Sequence, residues 1–176
     1  MLRPPQPPPI GDLVAVVFGG AALLVVAGAR PAAVGGASAA LQMVALVSVP
    51  LVIADVRQRL LPNVLTTPIL LAVIAEAAGG LVVGRPGWPV LASLATLLAL
   101  GALHSAGGLG MGDVKLGAAL ASPLATAAPE LAVAGAVLAF LLAGLWALPP
   151  LLSGDRSRIP FGPFQLAAFW LVLALR

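Results

Sequence analysis

Cysteine is absent from the chain and histidine occurs once. The first absence excludes disulfides, thiolate metal sites and a cysteine nucleophile. The second excludes a histidine-rich metal site. Charge is also scarce, with Asp, Glu, Lys and Arg making up 9% of the 176 residues, whereas soluble domains carry about 25%. Hydrophobic residues make up 61%, and the mean hydropathy is +1.11. A chain with so few charges reads as a polytopic membrane protein, and the bilayer then sets its element lengths. The net charge of +3 rests on nine Lys and Arg. It is too small for a nucleic-acid footprint and informs topology instead.

Residues 1–11 form a Pro-rich N-terminal tail, with Pro4, Pro5, Pro7, Pro8 and Pro9, and no signal-peptide cleavage site follows the first apolar run. Residues 12–176 read as one all-α transmembrane domain of about seven segments. The apolar stretches run from about Leu13 to Ala29, Ser38 to Ala54, Leu65 to Val83, Trp88 to Ser105, Asp113 to Ala128, Glu130 to Leu148 and Phe161 to Leu175. The second is expected to stop at Asp55 and the sixth before Pro149-Pro150. The fifth has only 14 charge-free residues, Leu116 to Pro129, fewer than the usual minimum of about 17. A re-entrant half-helix is the alternative there, leaving six crossings. Charge bias favours seven. With a cytoplasmic N-terminus, Arg3, Arg57, Arg59, Lys115, Arg156 and Arg158 fall inside and Arg30, Arg85 and Arg176 outside, six against three. A re-entrant fifth segment moves Arg156 and Arg158 outside and Arg176 inside, which shrinks the bias to five against four.

This topology brings Asp55, Asp113 and the loop from Ser157 to Pro163 to one face, expected to be cytoplasmic. The remaining acids have simpler readings. Asp12 and Glu130 stand at helix starts, where the dipole favours negative charge. Asp155 belongs to a polar loop. Glu76 lies inside an apolar segment and needs a partner or a cavity. His104 reads as an interfacial polar residue. Lys115 either holds a substrate carbonyl or an acid, or follows the positive-inside rule. Trp88, Trp146 and Trp170 read as interfacial anchors or bundle contacts. Asp113 has two readings of its own. In the first it merely caps a helix. In the second it forms a pair with Asp55, sharing one proton, since two adjacent carboxylates do not both ionise readily. Such a pair activates water with one member and protonates a peptide carbonyl with the other, and needs no metal, thiol or cofactor.

Three motifs sharpen this. Gly110-Met111-Gly112-Asp113-Val114-Lys115-Leu116 resembles the GxGD motif of type IV prepilin peptidases in its fuller G-M-G-D-x-K-L form. Asp55 followed by Leu61-Pro62-Asn63 resembles the first-aspartate motif of that family, and Ile159-Pro160-Phe161-Gly162-Pro163 resembles its C-terminal I-P-F-G-P loop. Together, and in the family's order, they are specific where GxGD alone is weak. The resemblance implies a membrane aspartic endopeptidase with Asp55 and Asp113 as catalytic pair. It would remove a short basic leader from prepilins or pilin-like proteins at the cytoplasmic face of the plasma membrane. Partners are then the prepilin and the lipid bilayer, with no nucleic acid, cofactor or metal. Gly110, Gly112, Lys115, Pro62, Asn63, Pro160, Phe161, Gly162 and Pro163 are the candidate substrate-binding residues. The glycines are expected to let an extended peptide pass, more critically at Gly112 than at Gly162, and the prolines to stiffen the walls. Bifunctional relatives carry an N-terminal cytoplasmic region, often with a four-Cys zinc site. Only Met1 to Gly11 precede the first segment here, so no methyl transfer is expected. Two other readings compete. A proton-coupled transporter subunit calls for acids spread in depth and an inverted repeat. A catalytically inactive pilin-assembly factor differs from the peptidase only in a cleavage assay.

Overall fold

A computed structural model describes residues 10–28, 38–58, 61–154 and 159–176. Seven helices and no strand occur among the described residues: α1 (Ile10–Gly28), α2 (Ala39–Gln58), α3 (Asn63–Val82), α4 (Trp88–Ser105), α5 (Met111–Ala127), α6 (Pro129–Leu152) and α7 (Gly162–Ala174). Four of them, α2, α3, α4 and α6, are long and apolar enough to cross a membrane. Val14–Gly28 and Gly162–Ala174 are shorter apolar helices. The architecture is an all-α membrane helix bundle. Tail residues 1–9, the turn at Arg30 and Pro31, and the loop charges Arg59, Asp155, Arg156 and Arg158 lie outside the described residues.

The centre of the bundle is α5. Residues 118–125 are all buried, and small side chains dominate them. Small residues let neighbouring backbones approach, which is how membrane helices gain packing without a hydrophobic driving force between them. A Cβ on Gly135 of α6 would meet Leu124 of α5 at 2.7 Å, so that pair packs as closely as it does only with glycine there. A helix wrapped by others needs no lipid-facing stripe, so its charge-free run can be short. Its ends define its course. Asp113 lines a cavity with the end of α2, whereas Ser122, Ala125 and Thr126 line a second cavity, of about 330 Å³, with Glu76, Arg85 and Trp88. The helix therefore runs without a break from the Asp113 cavity to the Glu76 cavity.

Three boundaries differ from the sequence expectation. The first helix begins at Ile10, so Ile10 and Gly11 belong to it and not to the tail. The second continues through Asp55 to Gln58. A basic residue in a last turn suits the helix dipole, and Arg57 there reaches Asp12 of α1 at 2.8 Å. Asp12 is thus an ion-pair partner as well as a first-turn acid. The sixth helix runs through Pro149 and Pro150 to Leu152. Proline lacks a donor but keeps its acceptor, and Ser153 N–H still donates to Pro149 O at 3.1 Å. The helix stops where Gly154 adopts φ +82°.

Glu76 finds its partners at the start of α2. Its Oε2 accepts from Ser38 Oγ at 2.8 Å and from Ala40 N at 3.1 Å, while Ser38 Oγ accepts from Leu41 N. The acid on α3 thereby satisfies donors that a helix start leaves open. Trp170 makes a comparable cross-link, donating Nε1–H to Ser48 of α2 and meeting Phe169 edge-on. Trp88 and Trp146 are exposed. The Glu76 contacts lead to an expectation. Glu76→Ala should lower stability by about 0.5–2 kcal/mol, the usual cost of losing such a cap. Glu76→Gln, which keeps an acceptor, should leave unchanged the peptidase activity that the motif resemblance implies. Thermal melting in detergent beside a cleavage assay checks both, and loss of cleavage without loss of folding in Glu76→Gln would contradict the structural role.

Candidate active site

Asp55 sits in the last turn of α2 and is only 4% exposed. Its Oδ2 accepts a hydrogen bond of 2.9 Å from Gly162 N, the first residue of α7. Helix starts have unpaired amides, and a carboxylate is a natural partner for one. The approach is close. A Cβ on Gly162 would lie 2.9 Å from Asp55 Oδ2 and 3.2 Å from Leu61 Cδ2. The glycine of the Ile159–Pro163 motif thus admits the acid of the first-aspartate motif.

Asp113 occupies the first turn of α5. Its Oδ2 accepts from Gly110 N at 3.3 Å, the side-chain half of a capping box. Its other oxygen, Oδ1, is buried and has no hydrogen-bond partner among the described residues. The capping reading and the catalytic reading are therefore compatible: one oxygen holds the helix start and the other is left over. Gln165 of α7 steadies the same turn from behind, donating Nε2–H to the Asp113 carbonyl at 3.1 Å.

The two acids line one cavity of about 480 Å³ and are close enough to interact electrostatically. Its other walls are the Gly107–Gly110 loop, the Ile159-Pro160-Phe161 segment, and Phe140, Ala143, Gly144 and Ala147 on one side of α6. Gly110, Pro160 and Phe161 among the candidate binding residues thus line the cavity, and Gly162 holds Asp55. The others lie around it. Gly112 faces Leu61, whose Cβ would stand 2.7 Å from a Cβ at 112. Lys115 Nζ donates to Asn63 Oδ1 at 3.2 Å, joining the first two motifs directly. The carbonyl of Pro62 accepts from Leu65 N and Thr66 N and starts α3. Pro163 lies in the first turn of α7. Among the described residues no group of three His, Asp or Glu is placed to hold a metal ion.

The roles of three contributors are not evident from the sequence motifs. Gln165 is a lone amide in an apolar helix, a usable signal because buried polar groups in a membrane segment require partners. Leu61 was legible as the aliphatic residue of the first-aspartate motif, but its contacts with Gly112 and Gly162 carry no signal, being those of one leucine among many. The wall of α6 is invisible for the same reason, since Ala143, Gly144 and Ala147 are ordinary residues of an apolar segment.

Comparison with known proteins accords with this geometry. No curated protein and no solved structure matches the chain. The model of the type IV leader peptidase family matches residues 40–149, more than half of the chain and a span that contains both acids. With both motif acids brought to one cavity inside that span, the chain belongs to the type IV leader peptidase family.

Proposed function

We propose that the chain is a membrane-embedded aspartic endopeptidase that removes the leader from prepilins or pilin-like precursors, working at the cytoplasmic face of the plasma membrane. The observation that carries this reading is that Asp55 and Asp113, 58 positions apart in sequence, line the same cavity. One carboxyl group holds a proton and the other does not. The ionised member draws a proton from a water, the resulting hydroxide attacks the scissile carbonyl carbon, and the protonated member supplies its proton to the carbonyl oxygen. Collapse of the tetrahedral intermediate breaks the C–N bond, with a proton passing to the leaving amine. The six-to-three distribution of Arg and Lys supports the cytoplasmic assignment of this face.

The α6 wall suits the part of the precursor that follows the cut. Ala143, Gly144 and Ala147 present little side chain, and a Cβ at Gly144 would meet nothing within 4 Å. An apolar helix can pack closely on such a surface. The test uses purified protein in lipid with a pilin-like precursor, and the product is identified by its new N-terminus. Gly144→Leu should raise KM for the precursor about tenfold, roughly one lost packing contact of 1–2 kcal/mol. It should melt like the parent and should cut a short peptide spanning the site at the parental rate. Absence of cleavage by the parent protein would overturn the function. Equal KM values in parent and Gly144→Leu would remove the α6 wall from it.

A further inference from the structure

His104, the single histidine, lies in the last turn of α4, and its Nδ1 is 2.8 Å from Leu109 O. A carbonyl oxygen can only accept, so Nδ1 must carry the hydrogen. Leu109 C=O and Gly110 N–H belong to one planar peptide unit. That same Gly110 N–H donates to Asp113 Oδ2 at 3.3 Å. One rigid amide plane is therefore gripped on both edges, by imidazole on its carbonyl and by the Asp113 carboxylate on its N–H.

The residues on either side of the plane are held separately, Leu109 by packing on the Phe161 cluster and Gly110 by its carbonyl, which accepts from Asp113 N and Val114 N, so the two edge bonds restrain rotation of the plane between them. The plane follows a tight reversal in which Gly107 adopts φ +81°, with Gly107 N donating to His104 O and Gly108 N to Leu103 O. These bonds fix the start of the loop. The Leu109–Gly110 plane lies beyond them, at the part that lines the cavity. Rotation of that plane would swing the N–H away from Asp113, and the carboxylate would lose the hydrogen bond that sets its Oδ2.

We infer that His104 is a positioning residue, orienting the Leu109–Gly110 peptide and through it the carboxylate of Asp113. The inference rests on the reading of Asp113 as one of the catalytic pair.

The experiment compares His104→Ala, His104→Asn and His104→Gln with the parent protein in lipid, using the same precursor. An asparagine amide N–H can stand where Nδ1–H stood, whereas glutamine reaches toward the Nε2 position. His104→Ala should lower kcat about 10- to 100-fold, the usual cost of a misplaced catalytic group, with KM within about twofold of the parent. His104→Asn should recover most of the loss and His104→Gln little of it. In isotope-labelled protein, the Gly110 amide should exchange with solvent about tenfold faster in His104→Ala than in the parent, as expected when an amide loses its orienting bond. Parental kcat in His104→Ala, or no recovery in a folded His104→Asn, would overturn the inference. So would unchanged Gly110 exchange. Failure of the parent to cleave the precursor would strike the catalytic reading alone, and the exchange rates would still decide whether His104 fixes the peptide.

Discussion

Asp55→Asn and Asp113→Asn should each lower precursor cleavage by at least about a thousandfold, within the range that a general acid or base contributes. Neither substitution should unfold the bundle. Asparagine keeps an oxygen where Asp55 Oδ2 accepts from Gly162 N and where Asp113 Oδ2 accepts from Gly110 N. What it removes is the capacity to take and give a proton. The effects should also fail to add, because each acid acts only through the other. A double variant should therefore be no slower than either single one. Single-turnover cleavage with melting curves in detergent makes the measurement. Near-parental turnover in one single variant would dissolve the pair, and equal loss of melting temperature and activity would turn both acids into structural residues.

Gly162→Val should be nearly as damaging for a different reason. Its new Cβ would compete for space with Asp55 Oδ2 at 2.9 Å and with Leu61 Cδ2 at 3.2 Å. Either the carboxylate moves or α7 does, and in both cases the bond from Gly162 N is lost. A fall in turnover of at least about a hundredfold is expected, since a displacement near 1 Å has that effect on a reacting group. Overpacking should lower stability by about 1–3 kcal/mol in addition. Gly162→Ala should behave almost as badly, because the first added atom is the one that collides. Gly112→Val falls on Leu61 and not on a carboxylate, so stability and turnover should decline together there. This reverses the order expected from a peptide channel, in which Gly112 matters more. Turnover of Gly162→Ala near the parental level would show that Asp55 does not depend on this contact.

The fold was legible where hydropathy and helix coincide and misleading where they part. All seven helices follow from apolar stretches and Gly or Pro punctuation. The ends of α2 and α6 do not, because a helix persists through Asp55 or Pro149 as long as its backbone acceptors find donors. Hydropathy reports where lipid stops, and backbone bonding decides where the helix stops. The weak signal of α5 has the same kind of origin, since burial among other helices relieved it of facing lipid. At the site, the acids were legible because charge is rare in this chain. The motif glycines were legible as glycines, but their roles were not. Spacing along the chain does not reveal that Gly162 meets Asp55, 107 positions earlier. His104 was visible as the sole histidine, yet its partner is a backbone carbonyl, which any residue supplies.

Both acids are held by main-chain amides, Gly162 N–H for one and Gly110 N–H for the other. Such a site has an uneven tolerance to genetic change. A contact between side chains, such as Lys115 with Asn63, can be rebuilt after a loss by altering either partner. At Gly162 the requirement is that nothing be there, and no alteration elsewhere subtracts a Cβ. Every replacement of that glycine brings the same first atom to 2.9 Å from Asp55 Oδ2, so for a lineage that loses it the direct route back is to revert that codon.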